Sequence, residues 1–403
     1  MGRTEVSVSG TARDLAAATP GIRDWILSQG LEGTSLAALL EGFALRVVQA
    51  GLHLSRAYLA SPAVHPEIRA LNLTWRPSTG VVREGVRHDR FPNVFETSPI
   101  AFMLTNNMVR HRWRLLTPEG REGYALLEEL HAEGDVEYAA HIVKFGGSAT
   151  TALQGVALTV CTDRQEGFSR KELTFLNELV PPLALAVYRI ALFDMMTGIL
   201  NAYVGQDAGL RILNGEIRRG QGNRLSAAIM IADLRGFTAA SEKGEEELIA
   251  RLGDHLAAIA EPIEAAGGEV LKFLGDGLLA AFAIEDRPEP ACAAAVSAAL
   301  GALSRNDAVN VKYCGTPALP LDIALHRGEV FYGNVGGGSR MDFTVVGPAV
   351  NEASRIEALC GVLGVPLLMS ADFARHCGHP TASLGLHRLR GVSEPREIFA
   401  LAT

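Results

Sequence analysis

The chain has 403 residues, 48% hydrophobic and 20% charged, with a formal net charge of −8. That length suggests two domains, each able to bury its own core, and the acidic balance argues against a nucleic-acid binder, which would show a basic excess. The five cysteines (Cys161, Cys292, Cys314, Cys360, Cys377) form no CxxC pair, which excludes a disulfide framework or an ordinary zinc spacing and fits thiols in a reducing cytoplasm.

Residues 1–33 are read as an N-terminal segment. They open with MGRTEVSVSG, which lacks a signal peptide's apolar core. Residues 34–51 place Leu36, Leu39, Leu40, Phe43 and Val47 at helical spacing. Strand candidates at 56–60 and 68–75 are separated by Ser61-Pro62 and His65-Pro66 turn signals. Residues 83–119 show no clear period. Strands are predicted again at 136–145 and 153–161. Ser169 with Glu172 three residues on then reads as a capping box opening a helix. Leu176, Leu179, Leu183, Val187 and Ile190 continue one apolar stripe along it, free to pack on its own domain or on the same helix of a second chain. Pro181-Pro182 should kink or interrupt that helix. The apolar stretch 179–193 falls short of the ~20 uninterrupted residues of a membrane span, so a soluble, cytoplasmic protein is expected.

A helix, central strands and a closing helix make an α+β sensor module, and residues 34–190 resemble a GAF domain. The resemblance implies a regulatory, often dimeric unit that senses a small-molecule or ion effector. Trp75, Phe102 and Met103 could line its pocket, with core packing the simpler reading. Arg110-His111-Arg112-Trp113-Arg114 could grip an anion, with a charged edge strand the simpler reading. Six of the eleven histidines precede residue 150, but no pair among them has ligand spacing. Residues 191–224 form a helical connector that includes YVGQDAGLRILNGEIRRG (203–220).

From residue 225 the pattern changes. Residues 227–232 are a continuous apolar run, the mark of a buried strand. An amphipathic helix follows at 245–265, with Leu248, Leu252, Leu256, Ile259 and Ile263 on one face. Strands 269–274 and 278–284 flank Gly275-Asp276-Gly277 as a hairpin. Then come a helix (290–303), a strand (321–326), a glycine-rich loop (333–338), a strand (343–346) and a helix (350–359). The order β-α-β-β-α-β is ferredoxin-like, so the fold class is α+β in both halves.

Two carboxylates stand out. Asp233 follows the buried strand in IADLRGFT, and Asp276 sits at the hairpin tip in LKFLGDG. Aspartates held close repel unless cations lie between them. Mg²⁺ prefers carboxylate, water and phosphate oxygens, and two such ions can clamp an in-line displacement. Gly236 lets the backbone after Asp233 approach a triphosphate, which makes Phe237 and Thr238 substrate-contact candidates. Asn351 and Arg355, four apart in TVVGPAVNEASR, share a helix face where amide and guanidinium could orient a ribose and neutralise phosphate charge.

These three motifs, in this order and spacing, resemble the catalytic domain of class III nucleotidyl cyclases over residues 225–403. The resemblance implies a head-to-tail homodimer with active sites at the subunit interface. Asp233 and Asp276 of one chain would hold two Mg²⁺ or Mn²⁺ ions, while Asn351 and Arg355 of the other orient the ribose and stabilise the transition state. Lys272 falls at the family's purine-contacting lysine and Thr344 at its partner position. An ammonium suits adenine N1, an acceptor, and a hydroxyl can accept from the adenine amino group. Arg390, in LRGVSEP, stands where a triphosphate-binding lysine is common. The connector resembles short segments that precede many bacterial class III catalytic domains and are thought to carry the sensor's signal. The expected function is therefore an adenylyl cyclase making 3′,5′-cyclic AMP and pyrophosphate from ATP. The rivals are a catalytically silent cyclase-like receptor or scaffold, disfavoured by the full residue set, and a guanylyl cyclase, disfavoured by Lys272 and Thr344.

Overall fold

The computed structural model describes residues 14–62, 68–88, 95–146, 155–237, 246–338 and 340–402. They divide into two compact units, Met1–Ile199 and Leu200–Thr403.

The first unit is a six-stranded antiparallel sheet with helices on both faces. Its strands are β1 (Arg56–Pro62), β2 (Ile68–Arg76), β3 (Gly80–Arg87), β4 (Arg110–Arg114), β5 (Glu137–Lys144) and β6 (Gly155–Thr162), ordered β3-β2-β1-β6-β5-β4. The helix predicted over 34–51 spans Leu36–Gln49, and its N-cap Ser35 accepts from the Ala38 N–H. Residues 15–32 of the N-terminal segment form a helix as well, burying Ile22 and Ile26 in the same core. The unreadable stretch 83–119 holds β3, the helix Pro99–Thr105 and β4. These elements are short or strongly charged, so no apolar period is visible in them.

The closing helix runs unbroken over Arg170–Val204 with both prolines inside, which corrects the expected interruption. The capping box forms as expected: the Ser169 N–H donates to Glu172 Oε2 at 2.7 Å, and the Glu172 N–H donates to Ser169 Oγ at 3.3 Å. Leu176, Leu179, Leu183, Val187 and Ile190 all pack into the unit's own core with Leu39, Leu40, Phe43 and Leu158. That packing outweighs the backbone hydrogen bonds lost to Pro181 and Pro182. By length and composition this is the one helix among the described residues apolar enough to cross a membrane, and a third of its apolar window, 33%, is buried.

Trp75 packs in that core on one face of the sheet, and Met103 packs with Trp113 and Tyr138 on the other. They share no pocket, so core packing is the better account of both. The basic-aromatic cluster is the edge strand β4, and its Arg112 and Arg114 are held by the fully buried Glu137.

The second unit has an eight-stranded sheet. Strands β7 (Gly222–Leu234), β8 (Glu269–Leu274), β9 (Gly277–Ile284) and β10 (Leu321–Gly337), with helices Glu246–Ala265 and Pro288–Lys312, reproduce the predicted β-α-β-β-α-β order. β11 (Arg340–Val346), β12 (Leu367–Ser370), β13 (Thr381–His387) and β14 (Arg396–Leu401) complete the sheet, ordered β13-β14-β12-β10-β7-β9-β8 with β11 on β10. β7 is apolar throughout because it is covered on both faces. Ala228, Met230 and Ala232 meet the helices Glu246–Ala265 and Pro288–Lys312. Ile229 and Ile231 face the side covered by the helix Pro348–Leu363.

The expected glycine-rich loop at 333–338 is strand instead. β10 continues to Gly337 and pairs with β11 from Phe331 opposite Val346 to Gly337 opposite Arg340. Glycine is needed there for close backbone approach: a Cβ on Gly333 would lie 2.4 Å from the Gln221 carbonyl oxygen.

Candidate active site

Asp233 sits near the C-terminal end of β7 with a strand on either side. On β10 its register partner is Asp322. On β9, Leu278 pairs with Ala232, which sets Gly277 beside Asp233 and Asp276 at the adjoining hairpin tip. A Cβ on Gly277 would lie 2.6 Å from Asp233 Oδ1, so the tip comes this close only with glycine there. Asp233 is half-buried. Burial first, then the charges of Asp276 and Asp322, push its carboxyl up to about 6. The repulsion expected between the two predicted aspartates is thus present in the fold.

Two further carboxylates belong to this environment and were missed in the sequence. Asp322 is buried and receives both arms of Arg235, with Nε to Oδ2 at 2.9 Å and Nη2 to Oδ1. Glu357, on the helix Pro348–Leu363, is pushed up to about 7 by burial and then by Asp233 and Asp322. A glutamate following buried Ile356 was the available signal, but only the packing of that helix over β7 turns it toward the aspartates.

Hard oxygen donors with uncompensated repulsion fit a divalent cation such as Mg²⁺ or Mn²⁺. Among the described residues no group of three or more His, Cys, Asp or Glu side chains is gathered to hold a metal ion. Asp233 and Asp276 would therefore supply part of a coordination shell, with phosphate and water supplying the rest.

The same helix presents Asn351 and Arg355 on its outer side, where Arg355 Nη1 donates to the Asn351 carbonyl at 3.0 Å. They line an open cleft of about 620 Å³ together with Arg390 and Arg388. Three guanidiniums and no carboxylate line this cleft, which suits a polyanion. The structure thus gathers Asn351, Arg355 and Arg390 with Arg388 around one cleft, while Asp233 and Asp276 do not line it.

Lys272 lies on β8, half-exposed, and its ammonium pairs with Asp342 on β11. Thr344, two residues along β11, is only 6% exposed. Phe237 packs its ring, partly buried, against the core that holds Met230 and Ala232, leaving its backbone for the expected contact. Thr238 lies outside the described residues.

The connector's helix, Gln206–Leu213, docks on this unit. The Asp207 N–H donates to Glu269 Oε1 at 3.2 Å and the Tyr332 hydroxyl donates to Glu269 Oε2 at 3.1 Å. Glu269 opens β8, the strand that carries Lys272.

Residues 223–368 match the adenylate and guanylate cyclase catalytic domain. The second unit therefore carries a nucleotidyl cyclase catalytic domain of the adenylate and guanylate type. The chain is 32% identical over 214 residues to an adenylate cyclase of Anabaena cylindrica, covering 51% of this chain and 42% of that protein. It is 28% identical over 185 residues to adenylate cyclase 1 of Rhizobium meliloti (strain 1021), covering 44% of this chain and 27% of that one. The matches thus span less than half the length of either relative. Among solved structures, the adenylyl cyclase CyaB from P. aeruginosa is 25% identical with a TM-score of 0.42, covering 45% of this chain and 95% of that one.

Proposed function

We propose that the chain is an adenylyl cyclase that converts ATP to 3′,5′-cyclic AMP and pyrophosphate. The observation that carries the reading is the convergence of Asp233 and Asp276 on adjoining strand ends, in a domain whose neighbouring helix lines a cleft with three guanidiniums.

Asp233 and Asp276 would hold two divalent cations. Such ions, when bound, lower the charge on the phosphate and favour ionisation of the ribose 3′-hydroxyl. Asn351 orients the ribose through its amide. Arg355 neutralises charge developing at the α-phosphate, and Arg388 with Arg390 grips the departing pyrophosphate. Lys272 donates to adenine N1, which is an acceptor in adenine and a donor in guanine. The family resemblance adds that carboxylates and guanidinium cleft come from different chains of a homodimer. The first unit is read as the GAF-like regulatory part, with Glu269 linking the connector to the strand of Lys272.

Purified protein given Mn²⁺ and ATP is expected to release cyclic AMP and pyrophosphate. A mixture of Asp233→Asn and Arg355→Ala chains should recover activity that neither variant has alone. No product from the wild type under dimer-favouring conditions would favour a silent receptor instead. Absent recovery in demonstrated mixed dimers would refute sites shared between chains.

A further inference from the structure

The helix Pro348–Leu363 carries an acid between its two candidate substrate residues. Glu352 directly follows Asn351 and stands three positions before Arg355. Residues three apart on a helix are neighbours, so a carboxylate there is a natural ion partner for the guanidinium. Yet Arg355 bonds the Asn351 carbonyl, and among the described residues no carboxylate is paired with it. Glu352 is held instead by Arg396, the first residue of β14, whose Nε donates to Oε1 at 3.2 Å. The Glu352 side chain is only 19% exposed and that of Arg396 41%. Arg396 meets one other acid among the described residues, the well-exposed Glu394, at the longer distance of 3.9 Å.

The pair lies where the two walls of the guanidinium cleft meet. Arg396 stands opposite His387 in the β13–β14 hairpin, and the residues between them include Arg388, Arg390 and Gly391. Arg355 reaches that loop: a Cβ on Gly391 would lie 3.6 Å from its Nη2. His326 is a second basic group near Glu352, but burial lowers its pKa, and its Nδ1 is engaged with Ser370 Oγ at 2.9 Å. At neutral pH the imidazole therefore brings no charge, and the carboxylate depends on Arg396. A partly exposed ion pair adds little to stability. Its consequence lies in the field of the cleft. A freed Glu352 carboxylate could swing onto Arg355 and would repel the same phosphates that Arg355, Arg388 and Arg390 attract.

We infer that Arg396 is a positioning residue of the phosphate site: by holding Glu352 it keeps that carboxylate off Arg355 and leaves the guanidinium free for the substrate's phosphates. This rests on the adenylyl cyclase reading above for the reaction, and on the cleft alone for the affinity toward a polyanion.

The test is a double-mutant cycle in ATP turnover with Mn²⁺. Arg396→Gln should lower kcat/KM about five-fold, the order of one partly screened charge beside a phosphate. Glu352→Gln should stay within about two-fold of the wild type, because an amide neither captures Arg355 nor repels phosphate. The double variant should return to within about two-fold of Glu352→Gln. Arg396→Lys, which keeps the charge, should keep most of the rate. A simple tether between helix and hairpin would be broken by the double variant as by Arg396→Gln, with no recovery. A double variant as slow as Arg396→Gln, or an Arg396→Gln variant as fast as the wild type, overturns the assignment. If Arg396→Gln does not fold, Arg396→Met takes its place in the same cycle. Calorimetric binding of inorganic pyrophosphate, which needs no turnover, separates this inference from the one beneath it. Binding that weakens in Arg396→Gln and recovers in the double variant, with no cyclic AMP from the wild type, would sink the cyclase reading and keep Arg396. Cyclic AMP from the wild type with no recovery in the double variant would sink Arg396 and keep the cyclase.

Discussion

Replacing Asp233 by Asn should make the metal-free protein more stable while destroying its chemistry. Burial and the charges of Asp276 and Asp322 raise the Asp233 carboxyl from 3.8 to about 6. The folded state therefore favours the protonated form. Stability from this group is complete below about 3.8, declines as pH rises through about 6, and stays low above that. A rise of that size corresponds to about 3 kcal/mol at most. Solvent screening of a half-buried group reduces it to about 1–2 kcal/mol. An uncharged amide escapes that cost, so melting of the second unit in EDTA at pH 8 should rise by about 2–8 °C. The gain should shrink as pH is lowered from 8 toward 4, where the wild-type carboxyl is itself protonated. Adding Mn²⁺ should reverse the order, stabilising the wild type by mass action and leaving Asp233→Asn unmoved. Calorimetry at several pH values, with and without Mn²⁺, measures all of this. An Asn variant no more stable than the wild type in EDTA at pH 8, or a gain that does not change with pH, would refute the reasoning.

Two other changes probe the same machinery. Gly277→Ala would put a methyl 2.4 Å from the Ala232 carbonyl oxygen and 2.6 Å from Asp233 Oδ1; the hairpin tip must shift, and kcat/KM should fall at least about ten-fold, the equivalent of 1–3 kcal/mol of strain, while far-ultraviolet circular dichroism is retained. Arg388→Ala should raise KM for ATP about five- to ten-fold, as for one charge-assisted contact in an exposed cleft, and should weaken inhibition by pyrophosphate; unchanged values in steady-state kinetics would remove Arg388 from the substrate site.

The ferredoxin-like core was legible because each of its elements carries a local signature. The 227–232 run predicted β7, the Gly275-Asp276-Gly277 triplet predicted the β8–β9 hairpin, and helical spacing found the helix Glu246–Ala265. Other elements resisted for local reasons. β3 and β4 are charged edge strands whose apolar alternation is weak. Glycines at 333–338 read as a loop, although their use is to let two backbones approach. Prolines 181 and 182 read as a break, although the helix around them is held by its buried face.

The candidate site divides in the same way. The sequence by itself picked out side chains by their local position: Asp233 near the end of a buried strand, Asp276 at a hairpin tip, and Asn351 with Arg355 one turn apart on a helix. Their chemistry follows from residue type and short spacing, which folding does not change. Tertiary structure alone decided which distant groups share their electrostatic environment. Asp322 is brought beside Asp233 by the register of β10 on β7, and Glu357 by a helix laid across that strand. Arg388 joins Arg355 and Arg390 in one cleft, and Asp342 meets Lys272. The physical reason is range. Backbone periodicity acts over a few residues, whereas charges separated by seventy or more positions interact only after the sheet has set their distance.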